Sequence, residues 1–205
     1  MQKITAITAQ EKNKERVNLF VDGEFFAGVS LETALKLRLK VGDDADAKRL
    51  NEIITETERT DGLKKAADYA LKTLKTKRQV KDYLLKKGYS EETVWYCVDK
   101  LKEYGYIDDK EYSKRFIEST SKTQGRRLIE YKLMMKGVKK EDVAAAYERA
   151  ETDDNENAKA LAEKYLRNRE KNKENVLKAY KYLIGKGFSY DQADYAVARF
   201  KEEID

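Results

Sequence analysis

Two short runs of basic side chains carry the clearest capacity for chemistry in this chain. Lys72, Lys75, Lys77, Arg78 and Lys81 form the first, and Lys122, Arg126, Arg127 and Lys132 the second. Clustered ammonium and guanidinium groups recognise polyanions, phosphates above all, or an acidic protein surface. Arg126 and Arg127 open a predicted helix, where the dipole disfavours cations, so an anionic partner would explain their placement. The plain alternative for these residues is a solvated helical surface. Tyr69, Tyr112 and Tyr131 are able to stack on bases, although their helical spacing suits packing between helices better.

Other chemistries are closed off by composition. With no histidine among 205 residues, catalytic triads and His-metal sites are excluded. Cys97 is the single cysteine, which leaves no internal disulfide and no zinc cluster. Asp153, Asn155 and Asn157 mimic the first ligands of a calcium loop. However, Ala158 and Lys164 stand where the glycine and the closing glutamate belong. Gly185-Lys186-Gly187 lacks both the following Ser/Thr and the upstream glycine of a phosphate loop. No metal, no cofactor and no catalytic residue is expected, and the chain reads as a non-enzyme.

The elements that must carry these cations are helical. Charged residues make up 40% of the chain and mean hydropathy is −0.85, yet 14 Tyr, 6 Phe and 40% hydrophobic content are too much for a disordered polymer. There is no proline to interrupt long helices. The net charge of +5 is uneven. Residues 1–61 hold 10 Lys/Arg against 12 Asp/Glu, residues 62–140 hold 21 against 11, residues 141–158 hold 1 against 7, and residues 159–205 hold 11 against 8. Positive charge is thus gathered in the middle. MQKITAITAQEK has no apolar leader core and no run approaches a membrane span, so a cytoplasmic setting without membrane attachment is expected.

Three stretches repeat: YLLKKGYSEETV (83–94), KLMMKGVKKEDV (132–143) and YLIGKGFSYDQA (182–193). Aligned on Gly88, Gly137 and Gly187, apolar residues recur after the glycine at i, i+3, i+4 and i+7. They are Val94, Cys97, Val98 and Leu101; Val143, Ala146, Tyr147 and Ala150; and Ala193, Ala196, Val197 and Phe200. Before the glycines stand Val80 and Leu84, Ile129 and Leu133, and Ala179 and Leu183. Each Lys-Gly pair reads as a helix stop, with the glycine left-handed and the lysine at the negative end of the dipole. Thr76 with Gln79 and Ser189 with Gln192 read as capping boxes. With further helices at Leu63–Lys75, Lys110–Ser121 and Glu156–Arg169, each unit holds three helices.

In the N-terminal segment, Asp22-Gly23 lies between β-prone runs (16–29) and predicts a hairpin, with 4–8 as a third strand. Helices are predicted over Leu31–Leu39 and Ala47–Glu58. The expected fold is mainly α: an elongated solenoid of tandem three-helix repeats at 62–106, 107–152 and 153–205, behind a small β-hairpin and helix segment at 1–61.

At residues 70–118 the sequence resembles the first repeat of the RecX family, bacterial regulators of the RecA recombinase. The matching residues are Thr76, Gln79, Leu84, Lys87, Gly88, Leu101, Tyr106, Ile107, Asp108 and Asp109. GRRLIEYKLMMKGV (125–138) and KGFSYDQADYAV (186–197) are similar to its second and third repeats, and the hairpin is similar to the N-terminal segment of Gram-positive members. The resemblance implies a protein that binds RecA and the RecA–single-stranded DNA filament. It also implies inhibition of recombination, ATP hydrolysis and repressor cleavage in DNA repair and the SOS response. Two rivals stand beside it: a sequence-nonspecific DNA-binding helical repeat that contacts DNA directly, and a helical scaffold for a protein partner.

Overall fold

The computed structural model describes residues 2–11 and 13–204. It falls into two compact units, 1–108 and 109–205. At the start of the first, Asp22 (φ 49°) and Gly23 (φ 86°) both take the left-handed conformation that a two-residue hairpin turn requires. The turn joins β2 (Arg16–Val21) to β3 (Glu24–Ser30), with Val17 opposite Val29 and Leu19 opposite Ala27. The third strand is longer than the sequence suggests: β1 (Gln2–Ala9) pairs with β2 and also with β4 (Asp44–Ala45), giving the order β3-β2-β1-β4. Alternation along β2 buries Val17, Leu19 and Val21. α1 (Leu31–Lys36) is capped by Ser30, whose hydroxyl accepts from the Thr33 amide.

The helices predicted over Ala47–Glu58 and Leu63–Lys75 are one helix. α2 (Ala47–Lys72) runs unbroken for 26 residues, so residue 62, expected to open the first triplet, lies in mid-helix. Glycine there weakens a helix by about 1 kcal/mol relative to alanine. Its reason is in α4 (Glu91–Glu103): a Cβ at Gly62 would stand 3.1 Å from Cys97 Sγ and 3.4 Å from Thr93 Cγ2. Gly62 is thus a close-approach site between helices, not a break. The lower part of α2 closes the sheet through Ile54, and the upper part packs Ala66 against α3 (Lys77–Lys86) and α4.

A buried ion pair pins the sheet to this helix. Arg16 Nη1 lies 3.1 Å from Glu58 Oε2, while Arg16 Nη2 donates to the Gly28 carbonyl at 2.6 Å. Glu58 Oε1 accepts from the Ser30 amide and the Thr33 hydroxyl, each at 2.8 Å. Each charge therefore has its counter-ion and a further hydrogen bond, the condition under which a buried pair is tolerated. The Arg16 stem also fills the space beside Gly88, and Lys87 Nζ reaches Glu15 at 3.1 Å. The first Lys-Gly turn is thus a seat for the N-terminal segment as well as a helix stop.

The second unit contains α5 (Asp109–Thr120), α6 (Arg126–Met135), α7 (Lys140–Tyr147), α8 (Asp154–Leu166), α9 (Lys173–Gly185) and α10 (Tyr190–Glu202). Each triplet has its own buried cluster. Val80, Leu84, Val94, Cys97 and Leu101 centre the first; Ile117, Ile129, Leu133 and Val143 the second; Leu161, Leu183, Phe188 and Val197 the third. The stripes predicted from the repeat are these residues, and Tyr147 and Ala150 pack beside them partly buried. Both predicted capping boxes form, and Gly88, Gly137 and Gly187 have φ of 85°, 84° and 92°. The Gly187 turn seats a neighbour too: Gly125, the N-cap of α6, donates to the Lys186 carbonyl at 2.9 Å, and Arg127 N donates to the Gly187 carbonyl at 3.2 Å. A Cβ on either glycine would run into the other strand of this contact.

Candidate nucleic-acid interface

The first basic run brackets the junction between α2 and α3. Lys72 is exposed on the last turn of α2, where a cation complements the helix dipole. Lys75 sits in the connection, with Nζ 4.8 Å from the centroid of Tyr69, which itself stacks on Tyr83 at 4.2 Å and 8° between planes. Arg78 is exposed and forms an i,i+4 pair with Asp82 at 3.7 Å. Such a surface pair holds a guanidinium only weakly, at a few tenths of a kcal/mol. Lys77 and Lys81, one turn apart on α3, hold their ammonium groups 5.2 and 4.4 Å from the ring centroid of Trp95 on α4.

Trp95 is the chain's one tryptophan and is 41% exposed. No reasoning from the repeat singled it out. The signal was nonetheless present by elimination: the stripe takes Val94, Cys97 and Val98 inward and turns position 95 toward solvent.

The second run lies around the N-terminus of α6. Gly125 gives no side-chain cap there, and the Arg127 amide bonds the Gly187 carbonyl instead, so two arginines stand at the positive end of the helix dipole without a capping carboxylate or hydroxyl. The two differ in their surroundings. Arg126 Nε bonds Glu130 Oε1 at 2.7 Å and its guanidinium lies 4.4 Å from the Tyr147 centroid, so much of its charge is engaged within the unit. The Glu130 bond also holds its pKa above the ordinary arginine value. Arg127 is exposed. Lys132 Nζ donates to Gln124 Oε1 at 2.7 Å, and Lys122 is exposed in the connection from α5.

Beside Arg126 a polar cavity of about 510 Å³ is lined by Tyr147, Asp153, Asp154 and Gln192 among others. Burial raises the pKa values of both Tyr147 and Asp154. The acidic run that contains Asp153 caps α8: its carboxylate accepts from the amides of Asn155 and Glu156. Tyr112 lies against Phe116 and packs on the second cluster, in keeping with its helical spacing, whereas Tyr131 is 56% exposed. Among the described residues no group of three His, Cys, Asp or Glu side chains converges to hold a metal ion. Nor is any described helix long and apolar enough to cross a membrane. The arrangement presents exposed cations and an indole.

Comparison with known proteins gives this surface its context. Three family models match: the regulatory protein RecX N-terminal domain over residues 2–46, the second three-helix domain of RecX over 108–146, and the third over 151–197. The chain belongs to the RecX family. Regulatory protein RecX of Clostridium botulinum (strain Alaska E43 / Type E3) is 36% identical over 200 residues, covering 93% of this chain and 92% of the relative. That of Clostridium tetani is 35% identical over 196 residues, covering 93% and 91%. A crystal structure of regulatory protein RecX superposes with a TM-score of 0.65 at 26% identity, over 98% of this chain and all of the other. RecX from Lactobacillus salivarius gives 0.64 at 25% identity, over 72% of this chain and 99% of that one. RecX is a family of regulatory proteins, not of enzymes, and its members share this mainly helical fold of tandem three-helix domains behind a small strand segment.

Proposed function

We propose that this RecX-family chain is a cytoplasmic regulator that binds RecA and the RecA–single-stranded DNA filament. There it inhibits recombination, ATP hydrolysis and repressor cleavage by binding alone. Family membership carries the reading. It is supported by the basic character of residues 62–140, which hold 21 Lys/Arg against 11 Asp/Glu. In the proposed mode the triplets at 62–106, 107–152 and 153–205 occupy the groove of the filament. They hinder the subunit movements that accompany ATP turnover. Lys72, Lys75, Lys77, Arg78, Lys81, Lys122, Arg127 and Lys132 are the proposed contacts, with Arg126 contributing mainly by shaping the start of α6.

The test is the DNA-dependent ATPase and strand exchange of RecA with this protein added. Both are expected to fall, and unchanged rates at molar excess would remove the proposal. A second reading, a binder of bare DNA that needs no recombinase, draws on the cation–indole cluster at Trp95. Co-sedimentation with filaments, set against gel shifts on bare single- and double-stranded DNA, separates the two.

A further inference from the structure

We infer that Trp95, flanked by Lys77 and Lys81, is a stacking site for an unpaired base of single-stranded nucleic acid. The inference deepens the filament reading, because it names the part of the partner that α3 and α4 touch. Three observations carry it. The indole is large, exposed at 41% and placed on the outer side of a helix whose other face is core, so part of its ring is left open to a partner. Two ammonium groups stand within 5.2 Å of the ring centroid, held there by helical spacing on α3. The neighbouring segment that holds these lysines, residues 71–87, carries seven Lys/Arg against one acid, Asp82, while the helix of Trp95 itself carries Glu91, Glu92, Asp99 and Glu103 against Lys100 and Lys102.

An aromatic plane with adjacent cations is the combination that binds a single strand without reading its sequence: every base offers a π-face, and each base brings a phosphate. A duplex keeps its bases stacked inside and offers this indole only its charged backbone. An acidic peptide satisfies the lysines but has no use for an exposed ring plane unless an aromatic residue happens to be in register. A single strand supplies both groups at every nucleotide.

Because Trp95 is the only tryptophan, its emission reports this position alone. The full chain, without recombinase, is titrated with oligothymidylate, with a duplex of equal length, with heparin and with poly-glutamate. Affinities are read from the anisotropy of labelled strands. Oligothymidylate is expected to quench the indole. Trp95→Ala is expected to weaken its binding by about tenfold while the duplex is unaffected. Trp95→Phe, which keeps a ring, retains most of the affinity. Replacing Lys77 and Lys81 by alanine lowers the slope of log affinity against log salt by about 1.4.

Trp95→Ala binding oligothymidylate as tightly as the unchanged chain overturns the inference. So does Trp95→Phe binding as weakly as Trp95→Ala, or an equal emission change with heparin or poly-glutamate. The filament ATPase is measured in parallel. A chain that leaves RecA unaffected but shows the quench and the tenfold loss refutes the filament reading and keeps the base site.

Discussion

At the scale of residues, Arg126 and Arg127 stand side by side yet are predicted to behave differently. Arg126 is bonded to Glu130 and lies over Tyr147, so Arg126→Glu is expected to cost about 1 kcal/mol of stability in urea unfolding. Arg127→Glu, at an exposed position, should leave stability within about 0.5 kcal/mol and weaken inhibition of the filament ATPase. Equal effects of the two on inhibition, with stability untouched, would contradict this division. Arg16→Ala leaves the Glu58 carboxylate buried without its cation, a change worth about 3–5 kcal/mol, read as a lower urea midpoint. Cys97 is fully buried, and burial pushes its thiol up to about 11. Near pH 8 it is neutral in the folded chain, so a disulfide reagent should label it only as fast as the first triplet opens. The linkage has a definite sign: the folded state holds this proton more tightly than the unfolded one. The stabilisation is complete below the ordinary thiol range and is lost as pH rises toward about 11.

At the scale of elements, the Lys-Gly turns do more than end helices, and two neighbouring glycines test the point. Gly187 has φ of 92° and a Cβ there would come within 2.5 Å of Leu128 Cβ, so Gly187→Ala should cost about 2–4 kcal/mol. Gly185, the last residue of α9, has open space around it, and Gly185→Ala should be neutral or stabilise by about 0.5 kcal/mol. Thermal unfolding of the two variants checks both signs. Stripes, caps and left-handed glycines were legible in the sequence because they are local and repeat. The bond between Arg16 and Glu58 was not, since it joins positions 42 residues apart with no periodicity to mark them. Gly62 looked like a gap between helices because its reason lies across the core, at Thr93 and Cys97. The basic runs were visible as charge. Which of their members are engaged at home depended on Glu130, Tyr147 and Gln124, and only one of these, Glu130, follows from i,i+4 spacing. Trp95 needed the complementary question of which residues the stripe turns outward.

At the scale of the whole molecule, charge is the property that no single triplet owns. The segment 62–140 spans parts of both units, and the acids of 141–158 follow directly behind it. Binding to a single-stranded polyanion should therefore fall steeply with salt. The expected slope is about −4 in log affinity against log concentration if five or six phosphates are neutralised. A slope near zero would leave the basic runs as solubilising surface. Within the first unit, α2 is shared property: its opening turns close the sheet and its later turns wall the first triplet, with no seam at residue 61. Protein engineers who trim the strands to obtain a minimal helical fragment would therefore strip an apolar flank bare. The amputated piece should be sticky and poorly expressed.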